Sequence, residues 1–165
     1  MMDPKQQFLD AYDRELATTL RVLRAFPADQ AELRPHPKAK SARELAWVFV
    51  LERGLGQRVW NDELSKGMPG KMPEAPEDFH AIIDAYEKAA AEYRQLVAAA
   101  SPDDLAQQVT FFTAPKTMGK ISRMEWIWFL LHDEIHHRGQ FSVYLRMADG
   151  KVPSIYGPSA DEPWI

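Results

Sequence analysis

The 165-residue sequence contains no cysteine. Disulfides, thiolate metal ligands and a cysteine nucleophile are thereby excluded from whatever chemistry it performs. It also lacks an excess of positive charge, since 20 Lys and Arg stand against 24 Asp and Glu for a formal net charge of −4. No Lys/Arg stripe is concentrated along the chain, and a dedicated nucleic-acid binder needs such a basic face to neutralise phosphates. Long apolar runs are missing as well, and none approaches membrane-spanning length. The opening stretch MMDPKQQFLDAYDREL is polar and amphipathic, without the apolar centre of a secretion signal, so a cytoplasmic location is expected. No internal repeat or low-complexity tract interrupts the chain.

Apolar residues make up 45% and charged residues 27%, enough for the core and the surface of one domain spanning residues 1–165. Proline and glycine clusters divide it into four periodic segments. The first runs from about Asp3 to Arg24, with Asp3 as cap, Pro4 in the first turn, and Phe8, Tyr12, Leu16, Leu20 and Leu23 at helical spacing. The second opens at Ser41 with Glu44 three residues on, a capping-box pattern, and continues to about Leu64. The third covers about Pro76 to Ala100. The fourth begins at a second capping box, Ser122 with Glu125, and ends at Asp149-Gly150. Between the last two, SPDDL reads as a short capped turn, and VTFFTAPKTMGK as a brief extended piece too weak to predict a sheet. The tail KVPSIYGPSADEPWI is too aromatic for plain linker and is expected to pack back on the rest. Four long amphipathic stretches predict an all-α four-helix bundle. Two long connectors leave a simple hairpin order unassured.

Three of the five histidines fall within LLHDEIHHRGQFSVYLR, residues 130–146. At roughly 100° per residue, His132 and His136 lie about 40° apart on one face of the fourth helix. Trp128, Ile135, Gly139 and Val143 share that side, so both imidazoles are expected to point into the bundle. A His-x-x-x-His pair can offer two nitrogens to one ion; the alternative is two core histidines hydrogen-bonded to their neighbours. His137 is rotated by about 100° from His136, faces elsewhere, and is expected to be structural or to support the metal ligands without binding the ion itself. On the second helix, Glu52 shares a stripe with Leu45, Val48, Leu55 and Val59. A carboxylate on a core stripe must be paired, protonated or bound to a cation. Metal ligation and an ion pair with Arg138 or another buried Arg are both open. Glu125 also falls on the histidine face, but its capping box already employs it.

The segment HDEIHHRGQFSVYLRMADGKVPSIYGPSADEPW resembles the DinB-like, or DinB/YfiT, superfamily of bacterial four-helix proteins, and the likeness extends to LRPHPKAKSARELAWVFVLERG. The resemblance implies a metal-binding bundle with three histidines, one from the second helix and a His-x-x-x-His pair from the last. It also implies dimers and, in some relatives, transferase or isomerase chemistry with low-molecular-weight thiols. His132 and His136 match the pair. Val48 stands where the helix-two histidine is expected, and valine cannot ligate a metal. Three outcomes stay open: Glu52 one turn further on takes its place, His36 reaches in from the proline-rich loop, or the site binds metal weakly or not at all.

Two functional readings follow. In the first, His132, His136 and Glu52 hold Zn²⁺ or Ni²⁺ in a metal-dependent enzyme acting on a small molecule, either a transferase or isomerase that uses an external thiol or a hydrolase. In the second, the scaffold is a metal-free homodimer that binds a small molecule or serves a stress response. Aromatics such as Trp47, Phe49, Trp126, Phe129 and Trp164 are candidates to line its pocket or interface, with core packing the expected role for most of them. Neither reading involves nucleic acid or a membrane.

Overall fold

Each long helix begins where the chain supplies a cap. In the computed structural model, which describes residues 3–165, α1 (Pro4–Arg24) starts behind Asp3, whose carboxylate accepts from the Lys5 N–H. Ser41 and Glu44 form a complete capping box at the head of α2 (Ala42–Trp60). Asp78 caps α3 (Phe79–Ala99). Ser101 and Asp104 box the short α4 (Pro102–Ala106), and Ser122 and Glu125 box α5 (Arg123–Met147). Such caps satisfy backbone donors that the first helical turn leaves unpaired. They are why four long helices start within a few residues of where the sequence predicts.

The second helix stops at Trp60, short of Leu64. Asp62 takes the left-handed conformation at φ 53° and turns the chain. Its carboxylate accepts from the Thr110 N–H at 2.6 Å and from the Lys120 ammonium at 3.1 Å. Those partners belong to an antiparallel hairpin, β1 (Gln108–Ala114) and β2 (Thr117–Ser122), a ribbon where the sequence predicts only an extended piece. A two-stranded ribbon is marginal alone and needs a surface to pack on. Phe111 supplies the contact, its ring centroid 4.4 Å from that of Trp126.

Helices α1 and α2 each pack against both α3 and α5. The order around the bundle is therefore α1, α3, α2, α5, with the first two helices on a diagonal, and the long 25–41 connector crosses one end. Phe8, Leu23, Phe49, Ile82, Ile127 and Phe141 are among the fully buried side chains. Each contributes about 1.5–3 kcal/mol relative to exposure. Trp126, expected at a pocket or an interface, is instead wholly buried and donates to the Gly56 carbonyl at 3.2 Å. Trp47 is half-buried and donates to the Pro73 carbonyl. The tail folds back onto the bundle. Tyr156 meets Arg138 and Glu15, Asp161 pairs with Arg146, and Glu162 pairs with Arg21. Among the described residues no helix is long and apolar enough to cross a membrane.

Candidate metal centre

Apolar side chains are spread round the whole of α5, so amphipathicity does not set its orientation. The side turned inward carries Ile127, Leu130, Leu131, Glu134, Arg138, Phe141 and Leu145. The side turned outward carries Phe129, His132, His136, Val143 and Met147, all exposed, Val143 by 56%. The orientation inferred from the histidine pair is thus corrected. His132 lies against the Trp128 ring with centroids 6.0 Å apart, and the His136 Nε2 accepts from the Gln140 amide at 2.9 Å. Neither imidazole points into the bundle, and His132 and His136 are not brought together with Glu52.

Charge explains the reversal. Glu134 and Arg138, one turn apart, anchor a polar network that the core surrounds. Arg53 of α2 pairs with Glu134, both 1% exposed. The other Glu134 oxygen accepts from the Thr19 and Tyr86 hydroxyls, each at 2.7 Å. The Arg138 guanidinium bonds to Glu15 at 2.7 Å and donates to the Tyr156 hydroxyl at 2.8 Å. The rings of Tyr12 and Tyr93 lie under Arg53, 5.4 and 5.6 Å from its central carbon. Burial raises the Tyr12 pKa to about 12 and drives Tyr93 higher still. Both remain neutral hydroxyls.

Next to each of three network members in sequence stands a residue of a second cluster: Glu52 beside Arg53, Asp133 beside Glu134, His137 beside Arg138. One ligand atom from each of Glu52, Asp133 and His137 lies within 4.8 Å of the others. The His137 Nδ1 is 2.6 Å from Glu52 Oε1 and 3.8 Å from Asp133 Oδ1. Burial pushes the Glu52 carboxyl above the usual range, with the hydrogen bond to His137 opposing it. The same hydrogen bond raises His137 above the ordinary 6.5, with burial opposing. The second Glu52 oxygen, Oε2, is buried and has no hydrogen-bond partner.

Of the residues singled out in the sequence, Glu52 is in this cluster. His137, expected to be structural or to support the ligands from outside, is at its centre. The Arg expected as Glu52's alternative partner is occupied elsewhere, Arg138 holding Glu15 and Tyr156. Val48 lies half-buried on the α2 surface. His36 is exposed in its loop, its Nδ1 accepting from the Lys38 N–H at 3.1 Å. Asp133 was not anticipated, although Asp133 and His137 have the same four-residue spacing as the pair that drew attention.

The architecture and this cluster define a four-helix protein with two carboxylates and an imidazole gathered between two helices, a donor set that fits a divalent cation. The sequence pattern of the DinB family matches residues 1–164, and the chain belongs to that family. It is 24% identical over 163 residues to the uncharacterized protein YrdA of Bacillus subtilis (strain 168), covering 98% of this chain and 93% of YrdA. The fold is similar to that of a DinB-like protein from Bacillus cereus ATCC 10987, with a TM-score of 0.73 and 21% identity over 92% of this chain and 97% of that one. It is also similar to the DinB-like protein YjoA from Bacillus subtilis, with a TM-score of 0.67 and 14% identity over 89% and 96% of the two chains.

Proposed function

We propose that this protein is a metal-dependent enzyme acting on a small molecule, with a divalent ion held by Glu52, Asp133 and His137. The observation that carries the reading is the Oε2 atom of Glu52. The residue is 5% exposed and its Oε1 is engaged by His137, yet Oε2 has no partner. Leaving such an atom unsatisfied costs about 1–3 kcal/mol or more for a charged group. A cation would satisfy that oxygen and offset the carboxylate of Asp133 in the same cluster.

The residues divide the work. Glu52 and Asp133 supply negative charge and oxygen donors, and His137 supplies one nitrogen. In the ion-free protein a proton lies between the His137 Nδ1 and Glu52 Oε1, and binding of an ion releases it. The buried Arg53–Glu134 pair holds α2 against α5 and so keeps Glu52 opposite Asp133 and His137. For a nitrogen and oxygen set the order of affinities places Ni²⁺ and Zn²⁺ above Mn²⁺, and Zn²⁺ or Ni²⁺ is the proposed ion. When bound, it would supply Lewis acidity that lowers the pKa of a coordinated water or thiol. Since the chain has no cysteine, thiol-dependent transfer or isomerisation would draw on an external low-molecular-weight thiol.

The test is calorimetric titration of Zn²⁺ and Ni²⁺ into tag-free, chelator-treated protein. Wild type is expected to bind one ion per chain with release of a proton. Glu52→Gln, Asp133→Asn and His137→Ala are each expected to weaken binding. Wild-type protein that takes up neither ion, or a Glu52→Gln variant with unaltered affinity, would overturn the reading.

A further inference from the structure

His137 forms part of the wall of a hollow of about 380 Å³, together with Ala39, Lys40, Leu45, Gln140 and Tyr144. Ligand sites span roughly 300–1,000 Å³, so this one suits a small molecule. On the other side of Lys40 lies a second hollow of about 460 Å³, bordered by Arg43, Glu44, Trp47, Val48 and Glu74. Most charges around the two hollows are already committed. Arg43 is paired with Glu32 and donates to the Ala75 carbonyl. Glu44 is paired with Arg34 and accepts from the Ser41 N–H. Glu74 is paired with Lys71.

The Lys40 ammonium is different. Among the described residues no carboxylate lies within ion-pair distance of it. Its backbone is nonetheless held in place. The Tyr144 hydroxyl donates to the Lys40 carbonyl at 2.9 Å, and Arg34 donates to the Ala39 carbonyl at 2.8 Å. Lys40, anchored through its backbone and without a carboxylate partner, therefore borders the same small hollow as His137.

We infer that the substrate of this centre is a small organic anion whose negative group is held by Lys40, while its reacting end meets the metal at Glu52, Asp133 and His137. The inference rests on the metal reading above. Charge balance supports it. The carboxylates of Glu52 and Asp133 offset a divalent ion, His137 is neutral as a ligand, and Lys40 leaves the hollow net positive. Such a site favours an anion over a neutral or cationic analogue. Ala39, Leu45 and the Tyr144 ring leave room for a short apolar body between the two ends.

The test uses Co²⁺-loaded protein and three thiols of similar size: 3-mercaptopropionate, 2-mercaptoethanol and cysteamine. Thiolate coordination is read from the sulfur-to-cobalt absorption band. Because the lysine side chain is exposed and only its carbonyl is used in the fold, Lys40→Met and Lys40→Glu should fold normally. Wild type is expected to favour 3-mercaptopropionate over 2-mercaptoethanol by about fivefold more than Lys40→Met does, the size of one partly solvated ion pair. In Lys40→Glu the order of the carboxylate and amine thiols should reverse. A normal Co²⁺ spectrum with the same thiol preference in wild type and Lys40→Met overturns this inference alone. Failure of the wild type to bind Co²⁺ overturns the metal reading and this inference with it.

Discussion

Glu52 of α2 and His137 of α5 stand 85 positions apart in the chain and meet at 2.6 Å across the seam between their helices. The contact is built from both sides. In each helix the next residue, Arg53 or Arg138, is locked in the buried ionic network, so the backbone carrying each ligand has little freedom to slide. Helix register in this protein is set by charge as much as by apolar packing, and the candidate centre inherits that register.

The first prediction separates the two sets of histidines. His132→Ala and His136→Ala remove exposed imidazoles and are expected to leave Zn²⁺ affinity within twofold of wild type. His137→Ala is expected to lower it by about a hundredfold, at the upper end of what even supporting residues of metal sites cost. Comparable losses in all three variants would show that ion binding is not located at the Glu52 cluster.

The pH dependence follows from the hydrogen bond between His137 and Glu52. In the ion-free protein it raises the His137 pKa above 6.5. A group raised on folding contributes stability that is fully present below its unfolded pKa and is lost as pH rises through the folded value. The ion competes with the same proton, so metal affinity should fall as pH drops through that raised value. Glu52→Gln removes the largest cause of the shift. The His137 resonance, followed by NMR titration, should then move its midpoint downward relative to wild type. An unchanged midpoint would contradict the assigned contact.

The Arg53–Glu134 pair should behave as a buried ion pair. Arg53→Met leaves Glu134 charged and buried, and is expected to cost about 3–5 kcal/mol in urea unfolding. Glu134→Gln keeps an acceptor for Thr19 and Tyr86 but strands Arg53. The double variant should lose less than the sum of the two, by about 0.5–3 kcal/mol. Strict additivity would mean that the two side chains do not stabilise one another.

Two glycines of α2 are expected to respond in opposite directions. A Cβ at Gly56 would come within 2.7 Å of Tyr93 and 2.8 Å of Leu130, while one at Gly54 would meet nothing within 4 Å. Gly56→Ala should therefore destabilise by about 1–3 kcal/mol through overpacking. Gly54→Ala should stabilise by up to about 1 kcal/mol through helix propensity. Thermal unfolding midpoints that shift in the same direction would refute the packing assigned to Gly56.

The four long helices were legible in the sequence because their signals are local. Asp3, Ser41 with Glu44, and Ser122 with Glu125 each act within one turn, and the apolar spacing of α1 and α3 is regular. The family resemblance rested on short motifs that also survive without tertiary context. Glu52 was legible for a related reason: a carboxylate among Leu45, Leu55 and Val59 is an anomaly that the sequence displays by itself.

The centre's other members were decided by tertiary structure. On α5, Phe129, Val143 and Met147 resemble core residues and are exposed, while Glu134 and Arg138 resemble a solvated ion pair and are buried. No periodicity rule recovers that inversion, because the desolvation of Glu134 and Arg138 is compensated by Arg53, Thr19, Tyr86, Glu15 and Tyr156 from α1, α2, α3 and the tail. Only once those elements assemble does α5 take the orientation that turns His132 and His136 to solvent and brings Asp133 and His137 to Glu52. The sequence by itself determined where the long helices start and that candidate metal-ligating side chains gather near residue 136. Which side chains of α5 face the bundle was settled together with ion pairs and hydrogen bonds to residues far apart in the chain, which leave no local trace.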